Sequence, residues 1–218
     1  MSGNVFVNGK RVEKSGQQVL IESSIEVKSK PHPWVSRGGI KLEKAISEFN
    51  LSCQKIIALD IGASTGGFTD VLLSKGASKV YSVDVGYGQL DWKLRNDERV
   101  IVKEKTNARF LSQEIIKDQL DAVVCDASFI SLKKVLPSGL SFLKKNGIIV
   151  VISFHSLEDN LVKSYFKSHK VEYPKDIPIN SIENQEFKCI AKKIRASKDE
   201  VSINPRSRSA IMRVFKKL

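Results

Sequence analysis

Residues 56–73 constrain the fold of this chain most, because an apolar segment leads directly into a glycine-rich loop and then a helical pattern. Residues 56–59 have the composition of a buried parallel strand, which ends at Asp60. The loop that follows holds three glycines, Gly62, Gly66 and Gly67. A glycine-rich turn between strand and helix lets a ligand approach the backbone closely, because no Cβ stands in the way.

A second apolar run ends at Asp84, about twenty residues beyond the glycines, where an acid typically hydrogen-bonds ribose hydroxyls. The glycine spacing is neither that of a dinucleotide site nor that of a P-loop. An acid before a glycine loop suits a ligand with a cationic amino-acid end and a nucleoside end, such as S-adenosylmethionine. A tight turn without a ligand is the alternative. The predicted cofactor-binding residues are Asp60, Gly62, Ala63, Gly66, Gly67, Asp84 and, at the adenine, Asn107.

Composition points to an acidic partner, because the 218 residues carry a formal net charge of +12 and the sequence pI is about 9.6. Nucleic acid suits this charge better than a membrane, since no apolar run approaches the roughly 20 residues needed to span a bilayer. The chain opens without a secretory signal. Its three cysteines lack metal-ligand spacing, so we expect no metal and a reducing cytoplasm.

From residue 56 onward, apolar strands and helical segments alternate, which predicts an α/β fold with a parallel, doubly wound sheet. Strands are expected at 56–60, 80–84, 100–102, 121–126 and 147–153. A helix over 156–167 and β-rich runs at 186–194 and 209–216 follow, the runs forming an antiparallel hairpin at the sheet edge. Residues 1–30 form a small β-rich subdomain with an Asn8-Gly9 hairpin turn, and 31–55 a linker and helix. The main domain is therefore predicted at 56–218.

Ligands of open α/β sheets bind beyond the carboxyl ends of the strands, where Asp126 and the turn 153–159 are expected. Asp126 is a candidate for orienting a nucleophilic hydroxyl or accepting a proton, with a helix N-cap as the alternative. Lys41 is a candidate for lowering the pKa of a target hydroxyl, with a solvated lysine as the alternative. His155 and, more weakly, Ser153 complete the candidates, and a capping histidine is the alternative for His155.

Residues 5–148 resemble the haemolysin A (TlyA) family of rRNA 2′-O-methyltransferases. The matching stretches are 7–12, 35–45, 60–68, 83–93, 106–109 and 126–136. The resemblance implies a class I S-adenosylmethionine-dependent methyltransferase fold, Rossmann-like, behind an RNA-binding domain of the S-four type, of which residues 1–30 match only the β-rich second half. Lys41 and Asp126 fall on the first two positions of the family's Lys-Asp-Lys-Glu set. Ser153 stands near the second lysine, and the final glutamate has no equivalent.

Residues 149–218 resemble the end of the MraW (RsmH) family, which methylates the exocyclic amine of a cytosine in 16S rRNA. Residues 153–159 and 204–210 carry this resemblance, together with Arg213 and Val214. The chain therefore looks like two methyltransferases joined within the fifth strand of a sheet that both families share.

The leading prediction is ribose 2′-O-methylation of rRNA by a cytoplasmic protein that acts on ribosomal subunits. Methylation of a cytosine amine is the first alternative, and an RNA- and cofactor-binding protein without turnover is the second. A membrane-active toxin is disfavoured, because no amphipathic or apolar membrane segment is present. The predicted RNA-binding residues are Lys10, Arg11, Arg37, Arg206 and Arg208.

Overall fold

The computed structural model describes residues 5–12, 14, 16–27, 32–126, 132–168, 186–203 and 205–218. The chain divides into two compact units, Met1–Pro33 and Trp34–Leu218. The boundary between the units lies a few residues after the one predicted at residue 30. The second unit also includes the helix that precedes its first strand.

The first unit is an antiparallel sheet of three short strands, β1 (Val5–Val7), β2 (Lys10–Arg11) and β3 (Ile25–Val27), in the order β2-β1-β3. Asn8 and Gly9 form the predicted turn with φ angles of 48° and 75°, as a two-residue hairpin turn requires. The Asn8 side chain accepts a hydrogen bond from the Ser24 backbone N–H at 2.9 Å, which ties β3 to this turn.

The second unit is built on a sheet of seven strands in the order β6-β5-β4-β7-β8-β10-β9. The strands are β4 (Ile57–Ile61), β5 (Lys79–Val83), β6 (Val100–Lys103), β7 (Leu120–Asp126), β8 (Leu143–Ser153), β9 (Phe187–Arg195) and β10 (Ile211–Lys217). The first five of these pair in parallel, and β10 pairs antiparallel with both β8 and β9. The predicted doubly wound sheet with an antiparallel closing hairpin is confirmed.

Helices cover both faces of this sheet: α1 (Gly38–Glu48), α2 (Gly67–Ser74), α3 (Trp92–Arg95), α4 (Leu132–Leu140), α5 (Ser156–Ser168) and α6 (Lys198–Ile203). Side chains alternate along each strand, so β7 sends Val124 into the core beneath α1 and α2 and Val123 into the core beneath α4 and α5. The carboxyl ends of β4, β5, β7 and β8 therefore meet at one edge, which positions the candidate site.

Two predicted boundaries in the second unit differ from those observed by more than one residue. Strand β8 begins at Leu143 rather than 147, and Asn146 adopts a φ of 67° within it. Strand β10 begins at Ile211 rather than 209, because Pro205–Ser209 form a 3-10 turn. Within the described part of the chain, none of the helices has the length and apolarity needed to cross a bilayer.

Candidate cofactor and catalytic site

The glycine loop between β4 and α2 depends on backbone geometry that a side chain would obstruct. Gly62 and Gly66 have φ angles of 78° and 93°, in the left-handed region that favours glycine. A Cβ at Gly66 would lie 2.3 Å from Leu94 Cδ1, so the loop packs directly on α3. The Gly62 N–H donates to the Val83 carbonyl at 2.8 Å, which fastens the loop to the end of β5.

Asp60 lies beneath the loop and is only 1% exposed. Its Oδ2 accepts hydrogen bonds from the Thr69 backbone N–H at 3.0 Å and the Thr69 hydroxyl at 2.7 Å, and that hydroxyl also contacts Ser82. Burial raises the pKa of Asp60 to about 7, against the opposing effect of the Thr69 hydrogen bonds. Asp60 thus supports the first turn of α2, and its direct contact with a cofactor stays a prediction.

Asp84 follows β5 and is partly exposed beside the loop. Its Oδ2 accepts the Ser64 backbone N–H at 2.8 Å and its Oδ1 accepts the Gly86 backbone N–H at 2.7 Å. A carboxylate has about four lone-pair sites, so two remain for further donors. The position is the one expected for binding ribose hydroxyls, but Asp84 also holds two loops together.

Helix α1 is fixed against α2 by the residues before it. The Val35 N–H donates to Asp70 Oδ2 at 2.9 Å, and the indole of Trp34 donates to Glu43 at 2.9 Å. A Cβ at Gly39 would lie 2.7 Å from the Trp34 ring, so this glycine permits the close approach. The turn at Ser36–Gly39 therefore sets the direction of α1 and of Lys41 on its first turns.

Lys41 is partly buried, with its Nζ 3.6 Å from the centroid of the Phe154 ring. Burial lowers the pKa of Lys41, while the carboxylates of Asp126 and Glu200 act in the opposite direction. Asp126 is in register with Ile152, two residues before Phe154, so both predicted catalytic residues, Lys41 and Asp126, lie at the carboxyl edge of the sheet. Phe154 and Glu200 also lie near Lys41.

Asp126 is the last residue of β7 and lies in register with Ile152 of β8. It is partly exposed at the carboxyl edge of the sheet. Residues 127–131, which include much of the predicted motif after Asp126, lie outside the described residues. The helix N-cap alternative for Asp126 depends on those residues.

Ser153 and His155 occupy structural positions at the end of β8. Ser153 is 2% exposed, and its hydroxyl donates to the Ile211 carbonyl at 3.3 Å. His155 caps α5: its Nδ1 accepts the Leu157 N–H at 3.2 Å, and Glu158 accepts the His155 N–H at 3.0 Å. This geometry agrees with the capping alternative, and a catalytic role for His155 stays a prediction.

Asn107 is exposed, and its side chain accepts the Arg109 backbone N–H at 3.1 Å at the start of a 3-10 turn. Its contact with an adenine stays a prediction. Among the predicted RNA-binding residues, Lys10 and Arg11 are exposed on β2 of the first unit, and Arg37 and Arg208 are exposed in the second. The side chain of Arg206 lies outside what the structure describes.

Sequence reasoning missed three residues at this site, Phe154, Glu158 and Glu200. The three-residue spacing from His155 to Glu158 before a helical pattern is a capping-box signal that predicts the Glu158 contacts. Phe154 and Glu200 carry no such signal, because their approach to α1 depends on how the distant tail packs.

A family model described as FtsJ-like methyltransferase matches residues 34–191, from the first residue of the second unit into β9. The 16S/23S rRNA (cytidine-2′-O)-methyltransferase TlyA of Mycobacterium tuberculosis is 45% identical over 150 residues, which are 68% of this chain and 56% of that protein. A solved structure from Streptococcus thermophilus, described as that of a hemolysin, has a TM-score of 0.68 at 31% identity. It covers all of this chain and 80% of the other.

The second predicted resemblance is found as well. The ribosomal RNA small subunit methyltransferase H of Nitrosomonas eutropha is 45% identical over 94 residues, 40% of this chain and 30% of that protein. The chain spans about half the length of the first curated relatives it matches, between 49% and 57%.

Proposed function

We propose, because this chain belongs to the FtsJ-like methyltransferase family, that it transfers a methyl group from S-adenosylmethionine to a ribose 2′-hydroxyl of ribosomal RNA. One observation carries the proposal. Lys41 and Asp126 lie at the carboxyl edge of the sheet, where the glycine loop between β4 and α2 also begins. The proposal makes ribosomal RNA or ribosomal subunits the partner and the cytoplasm the compartment.

The residues at the loop fit S-adenosylmethionine. Asp84 has acceptor positions left for ribose hydroxyls, and the glycine loop leaves backbone exposed where a Cβ would otherwise project. When bound, the cofactor would supply a sulfonium methyl group for in-line transfer to an oxygen nucleophile. We assign Asp84 and the loop 62–67 to its binding, with Asp60 holding the loop from beneath.

The chain's own residues would act on the hydroxyl. Methylation of the 2′-oxygen would require the hydroxyl to be oriented and its proton to be removed. Asp126 orients the hydroxyl by accepting its hydrogen bond and then takes up its proton. The Lys41 ammonium stabilises the negative charge that develops on the oxygen. The Phe154 ring, 3.6 Å from Lys41 Nζ, holds this ammonium in place.

The test is methyl transfer from labelled S-adenosylmethionine to isolated ribosomal subunits and bare rRNA, followed by nucleoside analysis. A 2′-O-methylated nucleoside supports the proposal. The variant Lys41→Ala should lose transfer but keep cofactor affinity in calorimetry. A Lys41→Ala protein that retains the wild-type rate refutes the assigned role.

Transfer to the exocyclic amine of a cytosine is the second candidate, favoured by the 45% identity to small subunit methyltransferase H. Cytidine methylated on its base, in the same nucleoside analysis, would select this reaction. Cofactor binding without labelled RNA of any kind would instead favour a binding protein without turnover.

A further inference from the structure

A groove of about 590 Å³ lies between α5 and the edge strand β9, outside the site described above. Four lysines line it, two from the helix and two from the strand: Lys163, Lys167, Lys192 and Lys193. All four are exposed. We call this feature the lysine groove.

The lysine groove keeps its positive charge. Within the described ranges, none of its four lysines forms an ion pair with a carboxylate. The other cation that lines it, Arg213, is neutralised by a two-pronged ion pair with Asp159, at 2.6 and 2.9 Å. Four ammonium groups along one groove, with no ion-pair partner among the described residues, favour an anionic ligand with several charges.

The floor of the lysine groove is apolar and firmly packed. The rings of Phe166 and Phe215 stack with their centroids 3.8 Å apart, and Phe187 meets Phe166 edge-on at 5.1 Å. All three rings are buried, so they support the surface rather than offer faces for bases to stack on. The groove therefore suits contact with a phosphate backbone through the lysines alone.

Lysines on an edge strand also protect sheets from aggregation, which is the competing explanation for Lys192 and Lys193. It does not account for Lys163 and Lys167, which lie on a helix and face the same groove. Both α5 and β9 contribute lysines to the groove, whereas protection of a sheet edge would require lysines on β9 alone.

The lysine groove lies on the α5 face of the sheet, whereas α1 and Lys41 lie on the other face, and both faces meet at the carboxyl edge. Arg195 at the end of β9 pairs with Ile211, and Ile211 pairs with Ser153, the last residue of β8. Lys192 and Lys193 lie a few residues from that edge, and α5 carries Lys163 and Lys167 away from it, about 10 Å and beyond. An RNA strand that crosses the carboxyl edge from the site would have a basic path along the α5 face.

We propose that the lysine groove binds the phosphate backbone of a single-stranded RNA segment next to the methylated nucleotide. The identity of the ligand as RNA rests on the proposed function, but the binding is measurable without methyl transfer. Each phosphate neutralised on a single strand contributes about 0.7 to the slope of log affinity against log salt, so four lysines contribute up to about 3.

The test measures binding of a short, fluorescein-labelled single-stranded RNA of mixed sequence by anisotropy over a series of salt concentrations. One variant carries glutamine at Lys163, Lys167, Lys192 and Lys193. The matched control carries glutamine at three exposed lysines near the amino ends of β4, β7 and β8 that form no ion pair within the described residues, Lys55, Lys117 and Lys145. Circular dichroism and thermal unfolding confirm that both variants are folded.

The proposal expects the salt slope of the groove variant to fall by about 3, with that of the control nearly unchanged. Equal losses in both variants would show general charge attraction and overturn it. An unaltered slope in both would assign the strand lysines to edge protection and likewise overturn it. Since the binding assay contains no cofactor, these outcomes are independent of whether the chain transfers methyl groups.

Discussion

Replacing Asp60 by asparagine should remove a pH dependence from the stability of the second unit. Burial raises the pKa of this carboxyl from its ordinary value of 3.8 to about 7, so the folded protein holds the proton more tightly than the unfolded chain does. Asparagine retains an oxygen that can accept the Thr69 N–H and hydroxyl, as Oδ2 does now. It has no charge to bury at any pH.

The sign follows from proton binding. Between the unfolded and folded pKa values the folded state binds more protons, so stability falls as pH rises through this range. From about pH 5 to about pH 8, the two pKa values correspond to a loss of about 2.5 kcal/mol in the free energy of unfolding. Between these two pH values, the free energy of unfolding of the wild type should therefore fall by this amount more than that of Asp60→Asn. The other titratable groups contribute equally to both proteins, so they cancel in this comparison.

The assay is urea unfolding of both proteins at the two pH values, followed by tryptophan fluorescence. Asp97→Asn is the matched control: the Arg99 hydrogen bond lowers the pKa of Asp97, so this carboxyl titrates below the measured range. Its removal should leave the pH difference as in wild type. If Asp60→Asn shows the same loss between the two pH values as wild type, the buried carboxyl is not the source and the argument fails.

Three further predictions concern the site and its support. Asp84→Asn replaces a charged acceptor by a neutral amide with one acceptor oxygen, so calorimetry should show S-adenosylmethionine affinity weakened by about 1.5–3 kcal/mol, the range for a hydrogen bond to a charged group, and unchanged affinity would place the cofactor elsewhere. Phe154→Leu removes the ring beside the Lys41 ammonium and should slow single-turnover methyl transfer by about threefold to thirtyfold without changing RNA binding, whereas a wild-type rate would contradict the contact. Arg213→Met leaves Asp159 buried without its partner and should cost about 3–5 kcal/mol in urea unfolding, while adding Asp159→Leu should recover much of the loss; no recovery would exclude the ion pair as the cause.

The strands and the edge at which they end were predictable because they depend on local patterns. Apolar runs that end in Asp60, Asp84 and Asp126 identify parallel strands and the edge at which they finish. The direction in which each acid points depends on packing instead. Asp60 turns beneath the loop because Thr69 offers two donors there, whereas Asp84 lies beside the loop between the Ser64 and Gly86 amides.

The contacts of Lys41 were not predictable for a related reason. Its distance along the chain from Phe154 and Glu200 is large, and their approach follows from the pairing of β8 with β10 and the placement of α6. Similarly, the position of His155 just after a strand end suits a helix cap as well as a catalytic histidine. Residue type alone does not distinguish these two roles.

The predicted change of family resemblance at residue 149 falls inside β8, and the structure explains why a junction there is compatible with folding. Strand pairing uses backbone groups that every non-proline residue carries, so β7 accepts either family's fifth strand. The residues after the junction need only alternate correctly: Val150 and Ile152 face one core, and Ile149 and Val151 the other.

The tail also brings its own internal support, since β9 pairs with β10 and the Arg213–Asp159 ion pair joins β10 to α5. Besides the pairing of β8 with β7, the tail contacts α1, where Phe154 lies beside Lys41 and Glu200 pairs with Lys44 at 3.5 Å. The tail therefore shapes the environment of Lys41, although it lacks the second lysine of the family's catalytic set. Any methyl transfer by this chain depends on both halves, because the front supplies the Lys41 ammonium and the tail supplies the ring that it rests against.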